Sequence, residues 1–231
     1  MSRSIHELVE RQASRWEADA HRAQHGDRAT HRPPPIITIS TALGAGGEVL
    51  ARELSRQTGF QLMDREVLEA IAEDMHVQSR LVEPIDEHVR HDLDAWIEGI
   101  LTGRVIHSSD YLTSLTKVIG TVMTYGNVIV LGRGAGIIVG GARALRLRIV
   151  APLERRIHRV AEERGLKASA AAKLIEDTDA QRASFIRHSF DCDIDDEMLY
   201  DLVINTDALR VEDATEIALV AFTRKSGAAT L

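Results

Sequence analysis

Residues 36 to 51 read Ile-Ile-Thr-Ile-Ser-Thr-Ala-Leu-Gly-Ala-Gly-Gly-Glu-Val-Leu-Ala, a β-branched apolar run that passes through a burst of glycine into a helical pattern. A strand, a tight turn and a helix in that order constrain the fold more than any other segment. The turn must set main-chain N–H groups beside the positive end of a helix. Gly44, Gly46 and Gly47 let the backbone adopt positive φ, and the resulting nest attracts an anion such as phosphate. Against the phosphate-binding pattern G-x-x-x-x-G-K-[S/T], the stretch from Thr41 to Glu48 keeps only Gly46 of the specified positions. Gly47 stands in the lysine position and Glu48 in that of the metal-binding hydroxyl, so the turn has the nest without the ammonium.

A chain of 231 residues, 44% hydrophobic, has material for one large α/β domain with an insertion. Its apolar stretches are strand-sized and fall short of the ~20 residues of a spanning helix, so no membrane segment is expected. The single Cys192 cannot form an internal disulfide, and the charged start of the chain is not a secretory signal; a cytoplasmic location is the expectation. A net charge of −7 argues against a general nucleic-acid binder. Of the 28 basic residues only Lys117, Lys167, Lys173 and Lys225 are lysine, so any polyphosphate would be held by arginine, with its bidentate geometry.

Ile5, Leu8, Val9 and Trp16 fall near helical spacing before Arg32-Pro33-Pro34-Pro35, which reads as an amphipathic helical arm and stiff linker over residues 1–35. Trp16 would pack on the main domain or on a second subunit, and the arm makes a homodimer an expectation. Strands are expected in the apolar run that opens at residue 36 and at 60–63, 128–131, 145–150 and 201–205, with a helical insertion over 66–125 and a lid region over about 152–198. The main domain would span 36–225, followed by a tail at 226–231. Strands alternating with helices imply a doubly wound parallel sheet whose ligands gather at the strand carboxyl ends.

Three polar clusters fall at those ends: the glycine turn, Asp64-Arg65 and Gly132-Arg133. After the fourth strand come Arg155, Arg156, Arg159 and Arg164, then Asp177, Asp179, Arg182 and Arg187. Singly these arginines suit a solvated face paired with Glu154, Glu162 and Glu163. As a group they suit a lid, because phosphoryl transfer spreads negative charge over oxygens that guanidinium groups can stabilise while water is excluded. His21/His25 and His88/His91 lack a third ligand at a supporting spacing and are assigned no metal. No G-x-S-x-G elbow supports a hydrolytic triad.

The segments Ile37 to Ser40, Gly44 to Gly47, Leu62 to Leu68, Gly126 to Gly134 and Tyr200 to Thr206 together resemble the cytidylate-kinase-like family of P-loop nucleoside monophosphate kinases, in the family's order. The resemblance implies a P-loop NTPase-type three-layer α/β fold: a five-stranded parallel sheet, a helical monophosphate-binding insertion and an arginine-rich lid. It implies phosphorylation of CMP or a similar nucleotide by ATP, with Mg²⁺. By position, Ser40, Thr41, Gly44, Ala45, Gly46, Gly47 and Glu48 would hold the donor phosphates. Asp64 and Arg65 would meet the acceptor, and Gly132 with Arg133 would lie at its monophosphate. Arg156 and Arg159 match arginines after the fourth strand, and Asp179 with Arg182 a lid Asp-x-x-Arg. Arg133, Arg156, Arg159 and Arg182 are therefore the implied catalytic cations. Related loops favour Ser-Arg-x-x-Gly-Ser-Gly-Gly, where this chain has Thr41 for the arginine and Ala45 for the serine. A second reading follows from those departures: a nucleotide-binding sensor or regulatory protein without catalysis. Glu48 either holds Mg²⁺ through water or repels the triphosphate.

Overall fold

The computed structural model describes residues 36–73, 82, 87–103 and 110–227; the N-terminal arm, with His21 and His25, lies outside the described residues. Five strands, β1 (Ile36–Thr41), β2 (Gln61–Met63), β3 (Val128–Leu131), β4 (Leu145–Val150) and β5 (Leu202–Asn205), form one parallel sheet in the order β2-β3-β1-β4-β5. The helices described are α1 (Gly47–Thr58), α2 (Arg65–Glu73), α3 (Glu87–Gly103), α4 (Asp110–Tyr125), α5 (Ala135–Val139), α6 (Leu153–Arg164), α7 (Ala168–Phe190) and α8 (Val211–Ser226). The expected three-layer α/β fold is the one observed. Strand two starts one residue later than its apolar run, and Phe60 just before it meets Phe222 edge to face, 5.5 Å between centroids.

Alternation along the strands builds a core on each face of the sheet. Ile37, Ile39, Leu147, Ile149 and Ile204 pack against Leu50 and Leu54 of α1 and Ala218 and Phe222 of α8. On the other face Ile36, Met63, Val128 and Val130 meet Leu68 and Ile71 of α2, Leu115 and Ile119 of α4, and Ile186 and Phe190 of α7. Burial on both sides is why β3 reads as an unbroken apolar run. Each such side chain contributes about 1.5–3 kcal/mol when taken fully from water, so the strand ends are rigidly held. The long helix α7 belongs to two clusters: its start packs through Ala171 and Ile175 on Val160 of α6 and on Leu43, whereas its end lies in the sheet core. Among the described residues no helix is long and apolar enough to cross a membrane.

Candidate active site

The register of the sheet brings the polar clusters together. Ile39 is level with Leu131 and Ser40 with Arg148, so β1 enters the glycine turn next to Gly132-Arg133 and to β4. Gly44 has φ +77°, and a Cβ there would come within 2.8 Å of Val160 Cγ2 and 2.9 Å of the Arg156 carbonyl. Only glycine combines that conformation with that approach. A Cβ on Gly47 would sit 2.4 Å from Thr41 Oγ1, so the helix start lies directly on the end of β1. Gly46 precedes α1 in left-handed conformation and no side chain caps the helix, which leaves its positive end available to an anion.

A cavity of about 470 Å³ opens at these strand ends. Ser40, Thr41, Leu43 and Glu48 line it from the turn, Asp64 and Arg65 from the end of β2, Gly132 and Arg133 from the end of β3, and Arg182 from α7. Gly44, Ala45, Gly46 and Gly47 shape the turn but do not line the cavity. Asp64 caps α2 by accepting from the Val67 N–H at 3.0 Å, which fixes where Arg65 begins. Arg133 sits at φ +52°, unusual for a side chain of that size, and the strain aims its guanidinium under the Phe185 ring, 5.2 Å from the centroid. It pairs with Glu69, and its Nε is buried without a partner.

The charges in this cavity are unbalanced. Burial, then repulsion from Arg65 and Arg182, pulls the Arg133 guanidinium down to about 10. Arg182 is also lowered, chiefly by burial; Asp179 and Glu48 oppose the shift, whereas Arg148 and Arg65 add to it. Three guanidinium groups held against one another in a partly dry cleft are the electrostatic complement of a multiply charged anion. Among the described residues no set of three His, Cys, Asp or Glu could hold a metal, and Glu48 is the carboxylate at the start of α1 that faces the cleft. A Mg²⁺ carried by nucleotide phosphates needs only one or two protein carboxylates, and Glu48 fits that demand. No lysine lines the cavity, and Lys117 is exposed on α4.

Arg156 and Arg159, expected to face the moving phosphoryl group, do not line the cavity. Arg156 pairs with Asp179 and donates to the Ala151 carbonyl at 3.0 Å and to the Leu43 carbonyl at 3.4 Å. Arg159 donates to the Gly44 carbonyl at 3.4 Å, to Thr206 Oγ1 at 3.0 Å and to the Thr206 carbonyl at 2.7 Å. Asp179 likewise lies off the cavity lining and accepts from the Leu43 N–H at 3.0 Å. The helix face carrying these residues meets the turn's main chain, and the unpaired carbonyls there take their donors. Arg182 does both, donating to the Thr41 carbonyl at 2.8 Å while lining the cleft.

Several residues at the site escaped the sequence reading. Phe185 and Glu69 flank Arg133, Tyr200 lines the cleft, and Thr206 donates to the Ala45 carbonyl at 2.7 Å. Arg148, 7% exposed on β4, is the largest omission. Its strand also carries Arg146, so the Leu-Arg-Leu-Arg pattern offers no sequence signal that separates the buried arginine from the other.

A model described as the cytidylate kinase-like family matches residues 36–208. The cytidylate kinase of Thermoplasma volcanium is 24% identical over 185 residues, covering 79% of this chain and 88% of that protein. The cytidylate kinase of Thermococcus kodakarensis is 27% identical over 172 residues, covering 74% and 79%. A crystal structure of an uncharacterized protein from Eubacterium ventriosum superposes with a TM-score of 0.65 at 20% identity, over 82% of this chain and 98% of that one, which establishes the shared fold.

Proposed function

This chain belongs to the cytidylate kinase-like family, and we propose that it transfers a phosphoryl group from ATP to CMP or a similar nucleoside monophosphate. The observation that carries the reading is the crowding of Arg65, Arg133 and Arg182 around one cleft at the strand carboxyl ends, beside a helix terminus without a side-chain cap. A bound phosphate relieves their repulsion, and charge that grows on equatorial oxygens in the transition state relieves it further. Arg133 and Arg182 neutralise the group in flight, while Arg65 and Asp64 stand on the acceptor side. Arg156 and Arg159 act from behind the turn by donating to its Leu43 and Gly44 carbonyls, and Asp179 ties it further by accepting the Leu43 N–H, so that the turn keeps its shape for the donor phosphates. Residues 66–125 serve as the acceptor-binding insertion and 152–198 as the lid. Glu48 is the residue that would hold, through water, a Mg²⁺ bound with ATP, and that ion would neutralise charge on the donor nucleotide.

No strong base is required, because positioning and electrostatics dominate phosphoryl transfer. The test is ADP release with CMP, dCMP, UMP and AMP as acceptors. Turnover that falls by about 100-fold or more in Arg133→Ala supports the kinase. Saturable nucleotide binding with no turnover in the wild type supports the sensor reading, which the missing lysine favours.

A further inference from the structure

The scheme above gives Arg148 no part, yet this side chain is buried directly behind Ser40 and Tyr200, two residues that line the cleft. It leaves β4 level with Ser40 and donates from Nη1 to Ser40 Oγ at 2.9 Å. Its Nη2 donates to Asp195 at 2.8 Å, but Asp195 is 76% exposed and water weakens that pairing. The Tyr200 ring lies 5.9 Å from the guanidinium carbon, and Nε is buried with no hydrogen-bond partner. Besides Asp195, the hydrogen-bond acceptor that this guanidinium reaches is the Ser40 hydroxyl, which lines the cleft.

A hydroxyl has one proton to give, and a guanidinium cannot accept it. The proton of Ser40 therefore goes to Tyr200 Oη or into the cleft. Tyr200 Oη is 3.4 Å away, long for a bond between hydroxyls, and its own proton is committed to the Ile194 carbonyl at 2.7 Å. We propose that Arg148 is a positioning residue that turns the Ser40 proton into the cleft, where Ser40 donates to an anionic oxygen of the phosphoryl group held among Arg65, Arg133 and Arg182. The donor is strengthened by the guanidinium behind it, because hydrogen bonds in series polarise one another. Arg148 thereby supplies, through a neutral hydroxyl, part of the charge that a lysine-less turn lacks. The inference rests on the nucleotide-kinase reading.

The test is a double-mutant cycle on the full chain with ATP, Mg²⁺ and CMP: Ser40→Ala, Arg148→Met, both together, and Arg148→Lys, each checked for a cooperative thermal transition. Each single substitution of the cycle is expected to lower kcat about tenfold with little change in KM. The double variant should be no slower than either single one, and Arg148→Lys, which keeps a charged donor, should recover part of the loss. Losses that multiply in the double variant, or a Ser40→Ala enzyme with wild-type kcat, overturn the proposal. Should Arg148→Met fail to fold, the uncharged Arg148→Gln replaces it in the cycle under the same criteria. A wild type that binds CMP without turnover overturns the kinase reading alone, and the cycle is then judged on the Kd for CMP by calorimetry. A wild type that binds neither CMP nor ATP overturns both.

Discussion

Replacing Arg133 by Met should make the ligand-free protein slightly more stable and largely remove its response to nucleotide. Arg133 is held at about 10, first by burial and then by Arg65 and Arg182, and its side chain is only 19% exposed. The depression from the ordinary arginine range sets a ceiling of about 3 kcal/mol on the unfavourable free energy of the charge in the folded state. The folded protein releases this proton first as pH rises, so the penalty is fully present at neutral pH and fades only above about 10. Part of it is returned by the ion pair with Glu69, and the contact with Phe185 returns about 0.5–1 kcal/mol. Glu69 keeps Arg65 as a partner at 3.3 Å after the substitution, and the methionine stem still covers Phe185. The net gain is then about 1 kcal/mol, or roughly 2–4 °C in Tm for a chain of this size. Urea unfolding at pH 7, with and without CMP, measures both effects. CMP at 100 times its Kd should add about 2.7 kcal/mol to the wild type, and the same concentration much less to Arg133→Met. A variant that loses more than about 1 kcal/mol without ligand, yet is stabilised by CMP as the wild type is, refutes the view that this arginine is held for an anion.

Two further substitutions test the frame around the cleft. Gly44→Ala forces a side chain into φ +77° against Val160 and the Arg156 carbonyl; it should cost about 1–3 kcal/mol by thermal melt and raise the KM for ATP, and an unchanged KM would separate the turn from donor binding. Burial pushes the Asp201 carboxyl up, but hydrogen bonds from Arg146 and Lys225 outweigh it and hold the group below the usual range. Its stabilisation is therefore present at neutral pH and is lost as pH falls through the folded value, so Asp201→Asn should cost about 1–3 kcal/mol at pH 7 and progressively less below about pH 4. Equal gaps at pH 7 and pH 3 in urea titrations would exclude the charged pairing as the cause.

The strands that open at residue 36 and at 128 were legible because both-face burial writes an apolar run that punctuation by glycine bounds, whereas 145–150 was legible despite its arginines. The clusters at the ends of β1, β2 and β3 were legible for the same reason, since chain order alone puts them on one rim. Arg148 was hidden: the pattern Leu-Arg-Leu-Arg only weakens a strand reading, and its meaning depends on the β1–β4 register that sets it level with Ser40. Arg156 and Arg159 were found but their partners were not. Helical spacing puts them on one face without saying whether it meets solvent, phosphate or backbone, and the carbonyls they reach lie 113 and 115 residues away along the chain.

Those carbonyls bear on how a turn without an ammonium can work. The oxygens of Thr41, Leu43, Gly44 and Ala45 each accept from a side chain outside the turn: Arg182, Arg156, Arg159 and Thr206. Tying carbonyls outward fixes the peptide planes between them; with the Leu43 N–H donated to Asp179 and the Ala45 N–H to the Ala42 carbonyl, a nest for an anion is left to the amides at the start of α1. A lysine places a compact point charge at the phosphates and leaves the turn to hold its own shape. Under the proposed reaction shape and charge would come from different arginines, Arg156 and Arg159 for the first, Arg65 and Arg133 for the second, with Arg182 contributing to both. Helices α6 and α7 and the turn are consequently one mechanical unit, joined by Leu43 between Val160, Ala171 and Ile175 as well as by the hydrogen bonds. Moving those two helices away releases the Thr41, Leu43 and Gly44 carbonyls at once, while the Ala45 carbonyl keeps Thr206 as its donor.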